Sequence, residues 1–114
     1  WDDATIQVAP TTVRVPVWNA HSESIAVEFH DPITVDEAKS LLGQAPGVRF
    51  TEDPSEWNPI FADGKDEVIV GRVRLDETVK HGLMLWTVGD NLRKGAALNA
   101  VQIAETLRKQ SLLR

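Results

Sequence analysis

Two residues in the stretch VRVPVWNAHSES, residues 13–24, are of types that could do chemistry together: Arg14 and His21. A guanidinium is a planar fork that can bind a carboxylate or a phosphate with two parallel hydrogen bonds. An imidazole can accept or donate a proton near neutral pH, so His21 could act as a general acid or base. The spacing alone favours a surface ion pair and a solvated histidine, because a single Arg–His pair is a weak signal. Ser22 and Ser24 do not lie in a Gly-x-Ser-x-Gly turn, so a hydrolase is not predicted.

The stretch VGDNLRKGAALNA, residues 88–100, is the second candidate. A strand ends here and a long helix begins, with Asp90 or Asn91 as the predicted N-cap. Arg93 and Lys94 oppose the helix dipole in the first turn, so a phosphate or a carboxylate could require them. A solvated first turn is the simpler interpretation. The sequence contains no GxGxxG and no P-loop, so it does not predict a complete nucleotide-binding fold.

The histidines His21, His30 and His81 do not form a metal-binding pattern, and no metal site is predicted. None of them is paired at i, i+4, and there is no HExxH motif. The 114 residues include no cysteine, which excludes a disulfide framework, thiolate metal ligands and a thiolate nucleophile from this chain.

The overall charge does not favour binding to nucleic acid or to an anionic membrane. The formal net charge is −5, and 25% of the residues are charged. No apolar run approaches the length of a bilayer span. These features predict a soluble, cytoplasmic protein with no nucleic-acid or membrane partner.

Hydrophobic periodicity predicts five strands and two helices. Gly71 inside one strand indicates a bulge or a close backbone approach. Thr34 and Glu37 form a capping box at the start of the first helix, and Gly43 is the predicted left-handed stop. The expected strands are 12–18, 24–30, 48–51, 68–76 and 82–90, the expected helices are 34–43 and 91–112, and a long loop is expected over 52–66.

This element order predicts a single α+β domain, a mixed or antiparallel sheet with helices on one face. Val13, Val15 and Val17 alternate with polar or bulky residues, so they should form one face of the first strand. His21 is then expected in the loop between the first two strands. The small residues GAALNA in the last helix would allow another backbone to pack closely.

Three segments together resemble the C-terminal third of aspartate-semialdehyde dehydrogenase: TTVRVPVWNAHSES, GKDEVIVGRVR and LMLWTVGDNLRKGAALNAVQIAE. They occur in the family's order and cover residues 8–107. The resemblance implies part of a C-terminal domain like that of glyceraldehyde-3-phosphate dehydrogenase. It also implies NADP-dependent reductive dephosphorylation of L-aspartyl-4-phosphate, in lysine, threonine and methionine biosynthesis.

The resemblance also implies roles for individual residues. Arg14 would bind the α-carboxylate of the substrate, and His21 would be the acid/base that deprotonates the nucleophilic thiol. Asn91 would lie at the nicotinamide end of the cofactor. Residues 1–90 would belong to the substrate-binding and dimerisation domain, and residues 91–114 would pack on a dinucleotide-binding domain. The uncovered face of the sheet would form a homo-oligomer interface.

The chain departs from the family pattern at several points. The nucleophilic cysteine and the Gly-rich phosphate loop are missing from it, so the isolated chain should be inactive and should not bind NADP alone. Thr12 stands where the family commonly has cysteine, and Ala20 where it commonly has glycine. One alternative is a non-catalytic self-association domain on the same scaffold. Another is the related acyl-phosphate reductase of arginine synthesis, which the terminal segment matches less well.

Overall fold

A computed structural model describes residues 3–112, which form one four-stranded sheet with helices. The strands are β1 (His21–Glu28), β2 (Val48–Phe50), β3 (Val68–Asp76) and β4 (Gly82–Gly89), and the α-helices are α1 (Val35–Gln44), α2 (Pro59–Ala62) and α3 (Leu98–Lys109). The strand order is β1-β4-β3-β2, with β2 and β3 parallel and the other pairs antiparallel. The predicted α+β fold with a mixed sheet is confirmed, but helices pack on both faces of the sheet and not on one. Residues 1–2 and 113–114, the outer ends of the predicted segments 1–90 and 91–114, lie outside the described residues.

Helix α1 begins at the predicted capping box and covers one face of the sheet. The Thr34 hydroxyl accepts a hydrogen bond from the Glu37 backbone N–H, and the Glu37 carboxylate accepts one from the Thr34 backbone N–H. Ala38 packs with Val70, Val73 and Leu83 in a buried cluster. The predicted stop at Gly43 is wrong, because α1 continues to Gln44 and the left-handed glycine is Gly47, with φ 72°.

The opposite face of the sheet carries a second buried cluster. Successive strand residues point to opposite faces, so Ile69 and its partner Val88 lie on the side away from Val70. Ala62 in α2 packs on Ile69 and Val88, beside partly buried Trp57, Phe61 and Trp86. The prediction of a loop over 52–66 is therefore wrong in part: a short 3₁₀ turn, Pro54–Glu56, and α2 fold this segment onto the sheet.

The predicted irregularity at Gly71 is confirmed. The pairing of β3 with β4 shifts register between Gly71 and Arg74, and Arg72 has φ 53°. The indole of Trp57 lies against Gly71, and its Nε1–H donates to the Thr51 carbonyl at 3.1 Å. Only a residue without a Cβ leaves room for this contact.

The predicted strand over 12–18 is wrong. The segment pairs with no strand of the described chain and bends at Pro16, where the Val17 N–H donates to the Val15 carbonyl at 2.8 Å, and Val13 is 77% exposed. An alternating pattern yields a strand only where a partner offers hydrogen bonds, and Pro16 also removes one donor. Strand β1 instead begins at His21, three residues before the predicted start of that strand. The predicted loop position of His21 is therefore wrong as well.

The last helical segment has two parts. A π-helical turn, Arg93–Ala97, leads into α3, so the continuous helix predicted over 91–112 begins two residues late and has an irregular start. No residue of α3 is buried, and Val101 is 55% exposed. No helix in the described part of the chain is long and apolar enough to span a membrane.

Substitution of Gly71 by alanine should destabilise the fold. A Cβ at position 71 would lie 2.0 Å from Nε1 of Trp57, so the indole must move and the free energy of unfolding should fall by about 1–3 kcal/mol. Gly43→Ala is the matched control, because a Cβ there meets no described atom within 4 Å and α1 should gain about 0.5–1 kcal/mol. Urea unfolding measures both values. Equal effects of the two substitutions would contradict this close approach.

Candidate functional site

His21 lies where β1 begins and β4 ends. Its partner across the strand pair is Gly89, so the chain that follows β4 passes directly beside it. The imidazole is exposed. A histidine at the first position of a strand is held by the sheet, whereas a loop residue would depend on the conformation of the loop.

The residue before His21 has a strained backbone that is held in place by a side chain. Ala20 has φ 72°, in the left-handed region, and is only 4% exposed. This conformation costs a non-glycine residue about 1–3 kcal/mol. The Ala20 backbone N–H donates to Oδ1 of Asn91 at 2.7 Å, and the methyl group packs with Ala62, Ile69 and Val88. The structure therefore brings two predicted site residues, His21 and Asn91, together around Ala20.

Asn19 is tied to two carboxylates. Its Nδ2 donates to Oδ1 of Asp63 at 2.7 Å and to Oδ2 of Asp90 at 3.2 Å. These contacts join the segment before β1 to the loop after α2 and to the end of β4. Residues 19, 20 and 21 are thus held by residues 90, 91 and 89, respectively.

Asp90 is the only buried charged residue in the described part of the chain, with 3% exposure. Besides Asn19, its carboxylate accepts hydrogen bonds from the backbone N–H groups of Gly64 at 2.9 Å, Leu92 at 2.8 Å and Arg93 at 3.0 Å. The N-cap was predicted at Asp90 or Asn91, whereas the residue before the π-helical turn is Leu92, whose side chain forms no cap. Asp90 nevertheless accepts the backbone N–H groups of Leu92 and Arg93 at the start of this segment. Four donors satisfy a carboxylate that would otherwise be costly to bury.

These donors lower the pKa of Asp90 below its ordinary value of 3.8. The Gly64 N–H has the largest effect, Arg93, Leu92 and Asn19 add to it, and burial opposes it. A lowered pKa in the folded state means that Asp90 stabilises the fold above pH 3.8. This contribution is lost as the pH falls through the pKa of the folded state.

Arg14 is exposed, and it forms no hydrogen bond or ion pair with another residue of the described chain. The structure therefore does not connect it to His21. Arg93 and Lys94, the two cations of the first helical turn, differ from Arg14 because each donates a hydrogen bond to another side chain. Arg93 donates to Asp66 at 2.6 Å, and Lys94 donates to Gln102 at 2.6 Å.

Asn19, Asp63 and Gly64 were missed as site residues. Each belongs to a turn-type stretch, WNA or ADG, but their joint partner Asp90 is distant in sequence. An open groove of about 620 Å³ lies beyond the other end of β1, lined by residues that include Phe29 and His30. Among residues 3–112 no group of three or more His, Cys, Asp or Glu residues is arranged to hold a metal ion.

The chain is similar to known proteins in both sequence and structure. Residues 2–94 match the family described as semialdehyde dehydrogenase, dimerisation domain. The aspartate-semialdehyde dehydrogenase of Aquifex aeolicus is 49% identical over 114 residues, covering 97% of this chain and 34% of the relative. That of Streptomyces akiyoshiensis is 54% identical over 100 residues, covering 88% of this chain and 29% of the relative. The chain thus spans about a third of the length of the curated relatives it matches.

Solved structures agree with these sequence matches. Aspartate-semialdehyde dehydrogenase II of Vibrio cholerae superimposes with a TM-score of 0.73 at 43% identity, covering 84% of this chain and 29% of that one. A second structure of the Vibrio cholerae protein, described as complexed with ASA, matches equally well. These matches cover the C-terminal part of the longer proteins.

Two substitutions of Ala20 should separate backbone strain from packing. In Ala20→Gly the relief of strain is offset by lost methyl burial and by a more flexible unfolded chain, so stability should stay within about 1 kcal/mol of the parent. In Ala20→Val a β-branched residue must adopt φ 72° in a buried position, and the loss should exceed about 2 kcal/mol. Thermal and urea unfolding measure both variants. A valine variant as stable as the glycine variant would contradict the left-handed conformation.

Proposed function

This chain belongs to the semialdehyde dehydrogenase family, and we propose that it forms part of an NADP-dependent aspartate-semialdehyde dehydrogenase. The reaction is the reductive dephosphorylation of L-aspartyl-4-phosphate to the semialdehyde, on the route to lysine, threonine and methionine. The observation that carries the proposal is His21, an exposed imidazole on a fixed strand beside Asn91, in a chain that matches this family over residues 2–94.

His21 is the proposed acid/base residue. The reaction needs a thiolate that attacks the acyl carbon of the substrate and displaces phosphate, and a general base must take the proton of the thiol. This chain contains no cysteine, so another part of the enzyme must supply the sulfur. An exposed imidazole on a rigid strand can accept a proton from an atom that approaches from outside this domain.

Arg14 is the proposed binding residue for the substrate carboxylate. Arg14 has no acidic partner in the described part of the chain, which is also true of Arg72, Arg74 and Arg108, and the family resemblance selects it among them. A free guanidinium can bind an α-carboxylate with two hydrogen bonds. Arg14 and His21 would then hold one substrate between two separate parts of this chain.

Asn91 is the proposed contact to the nicotinamide group of NADP, which supplies the hydride when bound. Because the donor at Ala20 is a backbone N–H, the atom that faces it must be the amide oxygen of Asn91. Its Nδ2 donates to no residue of the described chain. Asn91 therefore fits a carbonyl acceptor, such as the oxygen of a carboxamide.

The remaining exposed surfaces fit contacts outside this chain. Residues 91–114 would pack on a dinucleotide-binding domain, which is consistent with the exposure of α3. The face of β1 that carries Ser24 and Ala26 is exposed and is proposed as a homo-oligomer interface. The complete enzyme is expected in the cytoplasm.

The second candidate is a self-association domain without catalysis. The exposed strand face and the matched family's description as a dimerisation domain favour it. Both candidates require self-association, so an oligomeric state does not separate them, whereas activity does.

The activity test uses the full-length protein that carries this chain and the chain by itself. With semialdehyde, phosphate and NADP⁺, the full-length protein should reduce NADP⁺, and the 114-residue chain should not, since it has no thiol. His21→Gln should lower kcat by about 10²–10⁴-fold. Arg14→Gln should raise the KM for the semialdehyde by about 10–100-fold, because it removes a charge-assisted pair.

The matched control is His30→Gln, an exposed histidine beyond the other end of β1, which should leave both constants unchanged. Turnover by the isolated chain, or full activity of the His21→Gln protein, would exclude the proposed roles. Absence of activity in the full-length parent protein would favour the self-association domain.

A further inference from the structure

We propose that Asn19, Asp90 and Asn91 are positioning residues that fix the direction of the His21 imidazole. The inference rests on the proposed role of His21 as the acid/base residue. It assigns a task to a buried carboxylate and to two amides that do not touch the substrate in this scheme.

The need for such a restraint comes from the backbone before His21. Ala20 is left-handed, and an L-residue with a Cβ prefers another region unless its surroundings hold it. A change of φ at Ala20 would rotate the start of β1. Because strand side chains alternate between the two faces, such a rotation would redirect the imidazole of His21.

The restraint comes from one short stretch at the end of β4. Gly89 pairs with His21 in the sheet, Asn91 accepts the N–H of Ala20 at 2.7 Å, and Asp90 accepts the amide of Asn19 at 3.2 Å. Residues 89–91 thus hold residues 19–21 in place. The hydrogen bond to the Ala20 N–H restrains the φ angle of Ala20 itself. A contact to the His21 imidazole would not restrain that angle.

Asp90 makes this arrangement rigid. Its carboxylate is fixed by the N–H groups of Gly64, Leu92 and Arg93, so the oxygen that meets Asn19 cannot follow a movement of the 19–20 segment. Hydrogen bonds to an ionised acceptor are stronger than those between neutral groups. Asp63, exposed at the surface, holds the same amide from the other side at 2.7 Å.

The test is steady-state kinetics of the full-length protein with Asn19→Ala and Asn91→Asp. Asn19→Ala should lower kcat by about 10–100-fold, because a small misplacement of a general base is costly. The KM values for semialdehyde and NADP⁺ should stay within about twofold, since Arg14 and Asn91 are unchanged. Asn91→Asp keeps an acceptor for the Ala20 N–H but loses the Nδ2 donor, so it should raise the KM for NADP⁺ and lower kcat less than Asn19→Ala does.

Thr34→Ala is the control for a merely structural role. It removes the hydroxyl cap of α1, away from His21, and should cost about 1 kcal/mol of stability without changing kcat. If Asn19→Ala behaves like this control, with lower stability and the kcat of the parent protein, the positioning role is excluded. If His21→Gln has parental activity, the proposed function fails first. Loss of activity in His21→Gln with full activity in Asn19→Ala would overturn the positioning role alone.

Discussion

The buried carboxylate of Asp90 is the group on which the geometry around His21 depends. It accepts hydrogen bonds from the segment before β1, from the loop after α2 and from the start of the last helical segment. A carboxylate with fewer donors would be expensive to bury and would shift towards its neutral form. With four donors its pKa is lowered, and it holds three separate parts of the chain in one arrangement.

The sheet supplies the frame for this arrangement. Ile69 and Val88 are fully buried between β3, β4 and α2, and Ala20 completes the same cluster. The strained alanine is thus packed on one side and hydrogen-bonded on the other. Core packing on this face and the position of His21 are therefore linked: a shift of α2 would move the Gly64 donor and the Ala20 contact together.

Local signals predicted much of the fold, and contacts between distant residues explain what they missed. The capping box depends on two residues that are near in sequence, Thr34 and Glu37. The bulge at Gly71 depends on the missing Cβ of that residue. The strand expected around Val13 failed, because alternation cannot show whether a partner strand exists. His21 was expected in a loop, because the turn-like residues around it do not show that residues 21–23 pair with the end of β4.

The site was predictable in part for the same reason. Family resemblance singled out Arg14, His21 and Asn91, and the structure brings the last two together while Arg14 stays apart. The helix cap was predicted at Asp90 or Asn91 because capping is a local event, and Asp90 does accept two N–H groups at the start of this segment. Its contact with Asn19, 71 residues away, is a product of the tertiary fold and has no sequence signal of its own.

Backbone amide hydrogen exchange of Ala20, followed by NMR in the ¹⁵N-labelled chain, tests this account most directly. The N–H is buried and donated to Asn91, so it should exchange about 100-fold or more slowly relative to the amide of exposed Val13, after correction for intrinsic rates. Substitution of Asn91 by alanine should remove most of this protection. Exchange of Ala20 as fast as that of Val13, or protection that survives the loss of Asn91, would contradict the claim that this contact holds the residue before His21.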